Sequence, residues 1–256
     1  MVEVDYTKEF YEEIKPNYEE FNNRLPEYWE LTYRDRWRTI RYELPNETGK
    51  LLDIGAGMGR AMKYFKDFGF NVFGIEPSPL AISKSPFPEK IIEGYFEDTY
   101  FVKDMFDVVY IEQVLSHTKN YLEILKGAYK VLKENGFIIL EEPNDGNELQ
   151  HEIVHQGLAK PDYWRVMDHV TYGGHEFYRD ALLECGFKMF SIQSTWPMEW
   201  FELSGDHYLG DDSLGSIVHE KRYKILRAMD YQKRHDLAEC FARMGIGRDI
   251  LIYARK

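Results

Sequence analysis

The stretch LLDIGAGMGR, residues 51 to 60, sets Gly55, Gly57 and Gly59 at alternate positions behind an apolar run that contains one acid, Asp53. Alternating glycines let a chain turn sharply out of a strand and bring its backbone against a ligand at the start of the next helix. A nucleoside-like cofactor suits such a loop. A dinucleotide does not, because Arg60 stands where a third small residue would permit close approach of helix and strand. Asp53 would also repel a pyrophosphate, whereas it would attract a cationic ligand. Glu76 follows in GIEP, about 20 residues past the loop, where an acid accepts hydrogen bonds from ribose hydroxyls. Glu97 and Asp98, in EGYFEDTYF, read equally as nucleoside contacts and as solvated loop acids.

Groups able to move a proton cluster later in the chain. His117 follows the fourth apolar run, His169 lies in MDHVTY, and His175 opens a helical segment. Glu112, Gln113, Glu141 and Glu142 end the fourth and fifth apolar runs, where open α/β sheets bind ligands. His151 and His155 are four apart, with Asp162, His169 and His175 nearby, but no HExxH arrangement accompanies them, so no metal is expected. Tyr163, Trp164, Trp196 and Trp200 read as pocket walls or as packing. The same two readings hold for Trp29, Tyr33 and Trp37, with packing preferred, and Tyr6, Tyr11 and Tyr18 are weaker candidates for lid contacts.

The elements that must carry these residues are legible as alternating short apolar runs and amphipathic stretches. Seven runs read as strands: KLLDIG, NVFGIEP, KIIEGYF, DVVYIEQ, GFIILEEP, FKMFSIQST and RDILIYARK. Crossover helices are expected over 58–68, 119–133, 175–185 and 217–243, which makes the sheet mainly parallel with helices on both faces. Gly69, Gly136 and Gly186, each between a helical stretch and a Phe that starts a strand, read as left-handed helix caps. One domain is expected over 1–256. It divides into a helical cap (1–46, punctuated by Pro16 and Pro26), a cofactor-binding core (47–143), two lid-like insertions (144–174 and 196–216), and a closing helix and strand (217–256). The formal net charge of -12 weighs against nucleic acid as a partner. Cys185 and Cys240 show no disulfide pattern, and no membrane span or leader is evident, so a cytoplasmic protein is expected. Oligomeric state is not readable from the sequence.

Taken in order, LLDIGAGMGR, GIEPS, FDVVYIEQVLSHT and VLKENGFIILEEPN resemble the successive motifs of class I S-adenosylmethionine-dependent methyltransferases over residues 48 to 145. DHVTYGGHEFYRDALLECGF and RMGIGRDILIYARK extend the likeness more weakly. The resemblance implies a Rossmann-like, doubly wound seven-strand sheet whose last strand is antiparallel and inserted between the fifth and sixth. It implies S-adenosylmethionine as cofactor and S-adenosylhomocysteine as product. Asp53, Gly55, Gly57 and Gly59 would cradle the cofactor's methionine part and Glu76 its ribose. The Phe96 backbone would meet adenine, and Asp98 would substitute for the acid that Tyr95 replaces.

For the reaction, the resemblance implies transfer to a small-molecule acceptor, and His169, His117 and Glu112 are the catalytic candidates. In LSHT, Ser116 stands where relatives often have Glu before the histidine. The expected chemistry is O-methylation of a polar metabolite such as a sugar, a nucleotide sugar or a surface-polysaccharide precursor, capsule phosphoramidate included. N-methylation of an amine, or cofactor binding without catalysis, are the alternatives.

Overall fold

The computed structural model describes residues 19–20, 24–166 and 168–256; Tyr6, Tyr11, Tyr18 and Pro16 lie outside them. Seven strands form one sheet: β1 (Lys50–Ile54), β2 (Asn71–Glu76), β3 (Ile91–Glu93), β4 (Phe106–Glu112), β5 (Leu132–Pro143), β6 (Lys188–Ser194) and β7 (Asp249–Arg255). Their order is β3-β2-β1-β4-β5-β7-β6, with β7 antiparallel to both neighbours and the other pairings parallel. The chain winds outward in opposite directions from β1 and β4, so their carboxyl ends open the crevice at which such sheets bind ligands.

Both faces of the sheet are apolar because each strand alternates its side chains between two covered layers. Leu52, Val109, Ile138 and Ile252 belong to one cluster, with helices α4 (Tyr121–Val131) and α6 (His175–Glu184). Leu51, Tyr110, Ile139 and Tyr253 belong to the other, with α1 (Pro26–Ile40) and α2 (Arg60–Asp67). Pro26 occupies the first turn of α1, where its missing N–H costs no helical hydrogen bond. The α1 aromatics pack as expected: Tyr33 stacks on Tyr64 at 5.1 Å and Trp37 on Phe68 at 5.2 Å.

Two local expectations are corrected. The single helix expected over 217–243 is two, α8 (Asp212–Arg227) and α9 (Tyr231–Arg243), because the Asp230 side chain accepts the Lys233 N–H and begins a new helix. Gly136 does not take the left-handed conformation that Gly69 (φ 98°) and Gly186 (φ 94°) do; Asn135 takes it instead, at φ 62°. Gly136 is needed for another reason, since a Cβ there would lie 2.9 Å from the Lys133 carbonyl oxygen. Between β2 and β3 the chain also forms a short helix, α3 (Pro79–Lys84). The insertions contain α5 (Glu148–His155), begun by an Asn147/Gln150 capping box, and α7 (Glu199–Leu203). Among the described residues no helix is long and apolar enough to cross a membrane.

One charged side chain of α1 reaches through the apolar layer to the strand ends. Arg36, 2 % exposed, pairs with Glu141 on β5, bonds the Tyr110 hydroxyl, and lies 3.6 Å from Glu112 on β4. Burial pushes the Glu141 carboxyl up, Arg36 opposes this, and the balance is about 8. Removing one partner of such a group leaves an uncompensated buried charge, costing about 3–5 kcal/mol. Arg36→Met is therefore expected to lower unfolding free energy by about that amount at pH 9. Because a protonated Glu141 needs no counter-charge, the deficit should shrink as pH falls to 6. Urea denaturation at the two pH values checks both the size and the slope.

Candidate functional site

The glycine loop leaves β1 as its residue types require. Gly55, Gly57 and Gly59 all have positive φ (74°, 53° and 77°), and the Gly55 and Ala56 N–H groups donate to the Ile75 carbonyl at 2.9 and 3.0 Å. A Cβ on Gly55 would come within 2.4 Å of Val114 Cγ2, and one on Gly59 within 2.5 Å of Ser85 Oγ. The loop therefore depends on glycine both for its dihedrals and for space.

Glu76, 4 % exposed, is fixed by two donors: Gly57 N–H reaches Oε2 at 2.8 Å and Ser78 N–H reaches Oε1 at 3.0 Å. Burial raises its pKa, the two N–H groups lower it, and it settles at about 7. Asp53 is 3 % exposed; burial pushes it up, Glu112 and Glu76 push it further, and Arg60 opposes them. Three carboxylates thus converge at the ends of β1, β2 and β4, where a ligand carrying positive charge would relieve their repulsion.

Phe96 is buried, stacks on Phe101 at 5.3 Å, and lies so close to α4 that a Cβ on Gly127 would meet it at 2.6 Å. Its ring belongs to the core. Glu97 and Asp98 are exposed on the turn after β3, and Tyr95 is half-exposed there.

Glu112, one of the catalytic candidates, is enclosed by donors at the end of β4. It accepts from the Tyr33 hydroxyl at 2.7 Å, the Tyr110 hydroxyl at 3.2 Å and Arg60 Nη2 at 3.1 Å. Burial alone would raise its pKa, but Arg60 and Arg36, helped by the two tyrosines, hold it below the usual carboxylate value. A carboxylate held this way is a poor proton acceptor, and its geometry makes it an anchor for Arg60 and α1. Arg60 also lies 3.7 Å over the Trp29 ring, so Trp29 and Tyr33 both pack and bind charge.

The histidines are brought together by a second carboxylate. Glu142, fully buried at the end of β5, accepts from the Val114, Leu115 and Ser116 N–H groups at 2.9, 2.7 and 3.0 Å. Burial pushes it up and those donors pull it down, to about 7. The Ser116 carbonyl in turn accepts from Val170 and Thr171 N–H, which ties the turn after β4 to the first insertion. His117 Nδ1 meets the Asp168 carbonyl at 2.9 Å, and His169 Nδ1 meets Asp145 Oδ2 at 3.3 Å. The two imidazole centroids are 4.9 Å apart, nearly perpendicular.

His175 is not part of this pair. It bonds Ser194 Oγ at 2.6 Å, and burial depresses it to about 4. The earlier metal candidates are also dispersed: His155 is exposed beside Glu152, and His151 packs on Trp164. Among the described residues the set that does converge is His117, Asp168 and His169, each with one potential ligand atom within 4.8 Å of the others. Trp196 and Trp200 pack edge-on against Phe241, and Trp164 is buried.

Sequence reasoning missed Arg36, Glu142's three-fold acceptor role, and the Asp145 partner of His169. Only Arg36 left a signal, as a charged residue in register with the α1 aromatic stripe.

Comparison with known proteins adds the family. The methyltransferase-domain family matches residues 28–192. A sarcosine/dimethylglycine N-methyltransferase from Aphanothece halophytica is 25% identical over 150 residues, 54% of this chain and 52% of that one. The chain spans about half the length of the curated relatives it matches. In the solved structures, an Archaeoglobus fulgidus S-adenosylmethionine-dependent methyltransferase superposes with a TM-score of 0.60 at 18% identity, over 98% of this chain and 100% of that one. Haemonchus contortus phosphoethanolamine N-methyltransferase 2, solved with S-adenosylmethionine, gives 0.58 at 12% identity, over 99% of this chain and 60% of that one. The sheet order, the glycine loop and the family match agree: the chain belongs to the methyltransferase-domain family and is of the class I, S-adenosylmethionine-dependent kind.

Proposed function

We propose that the protein transfers a methyl group from S-adenosylmethionine to the nitrogen of a small amine, with His169 taking the acceptor's proton. The observation that carries this reading is the buried His169–Asp145 contact beside His117, in a crevice whose strand ends are rich in carboxylates. The methyltransferases acting on sarcosine and on phosphoethanolamine among its relatives support an amine acceptor. Asp53 and the backbone at Gly55, Gly57 and Gly59 would hold the cofactor's cationic end, Glu76 its ribose hydroxyls, and Phe96 and Asp98 its adenine end. The bound cofactor supplies an electrophilic methyl group on a sulfonium sulfur.

The chain's own work is positioning, exclusion of water and proton transfer. Asp145 holds His169 through Nδ1, so the proton is accepted at Nε2. That proton comes from an ammonium group, exposing the lone pair that attacks. The acidic strand ends favour the cationic form as it arrives. O-methylation of a sugar, nucleotide-sugar or surface-polysaccharide precursor is the second reading, favoured by the same histidine, because a hydroxyl must lose its proton as it attacks.

Two measurements test this. The first is an activity assay with S-adenosylmethionine against glycine, sarcosine, histamine, phosphoethanolamine and sugar alcohols. Turnover of an amine is expected, with His169→Ala slowing kcat by about 10²–10⁴ while cofactor affinity holds. Turnover of sugars alone would transfer the assignment to oxygen, and binding without any turnover would remove the catalytic reading. The second is calorimetric titration with S-adenosylhomocysteine. Glu76 must be ionised to accept two hydroxyls and has its pKa at about 7, so affinity should rise between pH 6 and pH 8, by up to about tenfold. Glu76→Ala should abolish that rise along with most of the binding; a flat profile would remove Glu76 from the ribose.

A further inference from the structure

A second cleft lies between α1, the β6–β7 pair and α9. Its enclosed space is about 100 Å³, and the rest of the cleft is open to solvent. None of Asp53, Glu76, His117 and His169 lines it. Its body is aromatic, with Tyr28, Trp196 and Phe241 on its walls.

Three buried donors belong to residues lining this cleft: Arg36 Nε and Trp196 Nε1, which have no hydrogen-bond partner among the described residues, and the Tyr253 hydroxyl, which lies against Thr39. All three can donate, and a buried donor without an acceptor is costly to leave so. Arg36 and Tyr253 also lie within electrostatic reach of each other. The Asp35 carboxylate at the wall is clasped by Arg234 at 2.5 and 2.8 Å. His235 faces Gln193 at 3.1 Å. The cleft is therefore walled by flat apolar surface, with buried donors of its lining residues behind one end.

We propose that this cleft is a binding site for a small organic acid with a flat apolar body. Its carboxylate accepts from Arg36 Nε–H and the Tyr253 O–H, and its ring lies among Trp196, Phe241 and Tyr28. The site is separate from the cofactor crevice and does not rest on the methyl-transfer reading. It shares one residue with that crevice, because the other nitrogens of Arg36 face Glu141, Glu112 and Tyr110.

The test titrates the full chain with phenylacetate, and with phenethylamine as the charge-reversed control, with and without saturating S-adenosylhomocysteine. Phenylacetate should bind in both conditions and phenethylamine in neither. Tyr253→Phe should weaken phenylacetate about tenfold, and Trp196→Phe should weaken it several-fold, each with S-adenosylhomocysteine affinity unchanged. The proposal is overturned if phenylacetate does not bind at millimolar concentration. It is also overturned if both variants bind as the wild type does, if S-adenosylhomocysteine displaces phenylacetate competitively, or if a soaked crystal shows only ordered water in the cleft.

Discussion

The guanidinium of Arg36 is the contact on which the architecture of the strand ends turns. Five carboxylates, Asp53, Glu76, Glu112, Glu141 and Glu142, end three neighbouring strands and the loop-bearing β1 in a largely dry environment. So many buried acids repel one another unless each is given a donor or a cation. Backbone N–H groups serve Glu76 and Glu142, while Arg36 and Arg60 serve Glu112 and Glu141. Among the described residues Asp53 has charged neighbours of both signs, Glu112, Glu76 and Arg60, and no such dedicated partner. It is the acid to which a cationic group would contribute most.

This arrangement divides the acids by task. Those with backbone donors shape the chain: Glu76 holds the glycine loop to the turn after β2, and Glu142 holds the turn that carries His117. Those paired with arginine tie α1 and α2 to the sheet. His169 stands apart from both groups, with its own acid supplied by the first insertion. The crevice can therefore be acidic in composition while its proton-accepting group is an imidazole.

Much of the fold was legible in the sequence because strand signals are local: each apolar run carries its own stop, as in GIEP after β2 and EEPN after β5. The glycine loop and Glu76 were legible for the same reason, since a strand–loop–helix unit fixes both residue types and spacing. The place of β7 between β5 and β6 came only from the family resemblance, as pairing partners leave no local mark. The break between α8 and α9 was hidden because Asp230 sits in an otherwise helical composition, and a cap differs from a surface acid only once its side chain turns back on Lys233. Asp145 and Arg36 were hidden by distance: their partners lie 24 residues away and across the sheet. A long-range ion pair has no periodicity to betray it.

The position of β7 carries a consequence for how the chain assembles. The five-strand block β3-β2-β1-β4-β5 pairs in parallel from segments made in sequence, whereas the one sheet neighbour of β6 is β7, the later strand. During synthesis, then, β6 emerges with both edges open and stays so until α8, α9 and β7 have followed it. The β6 end of the sheet is thus the last to form, and β6 has no sheet neighbour over the time needed to translate those elements.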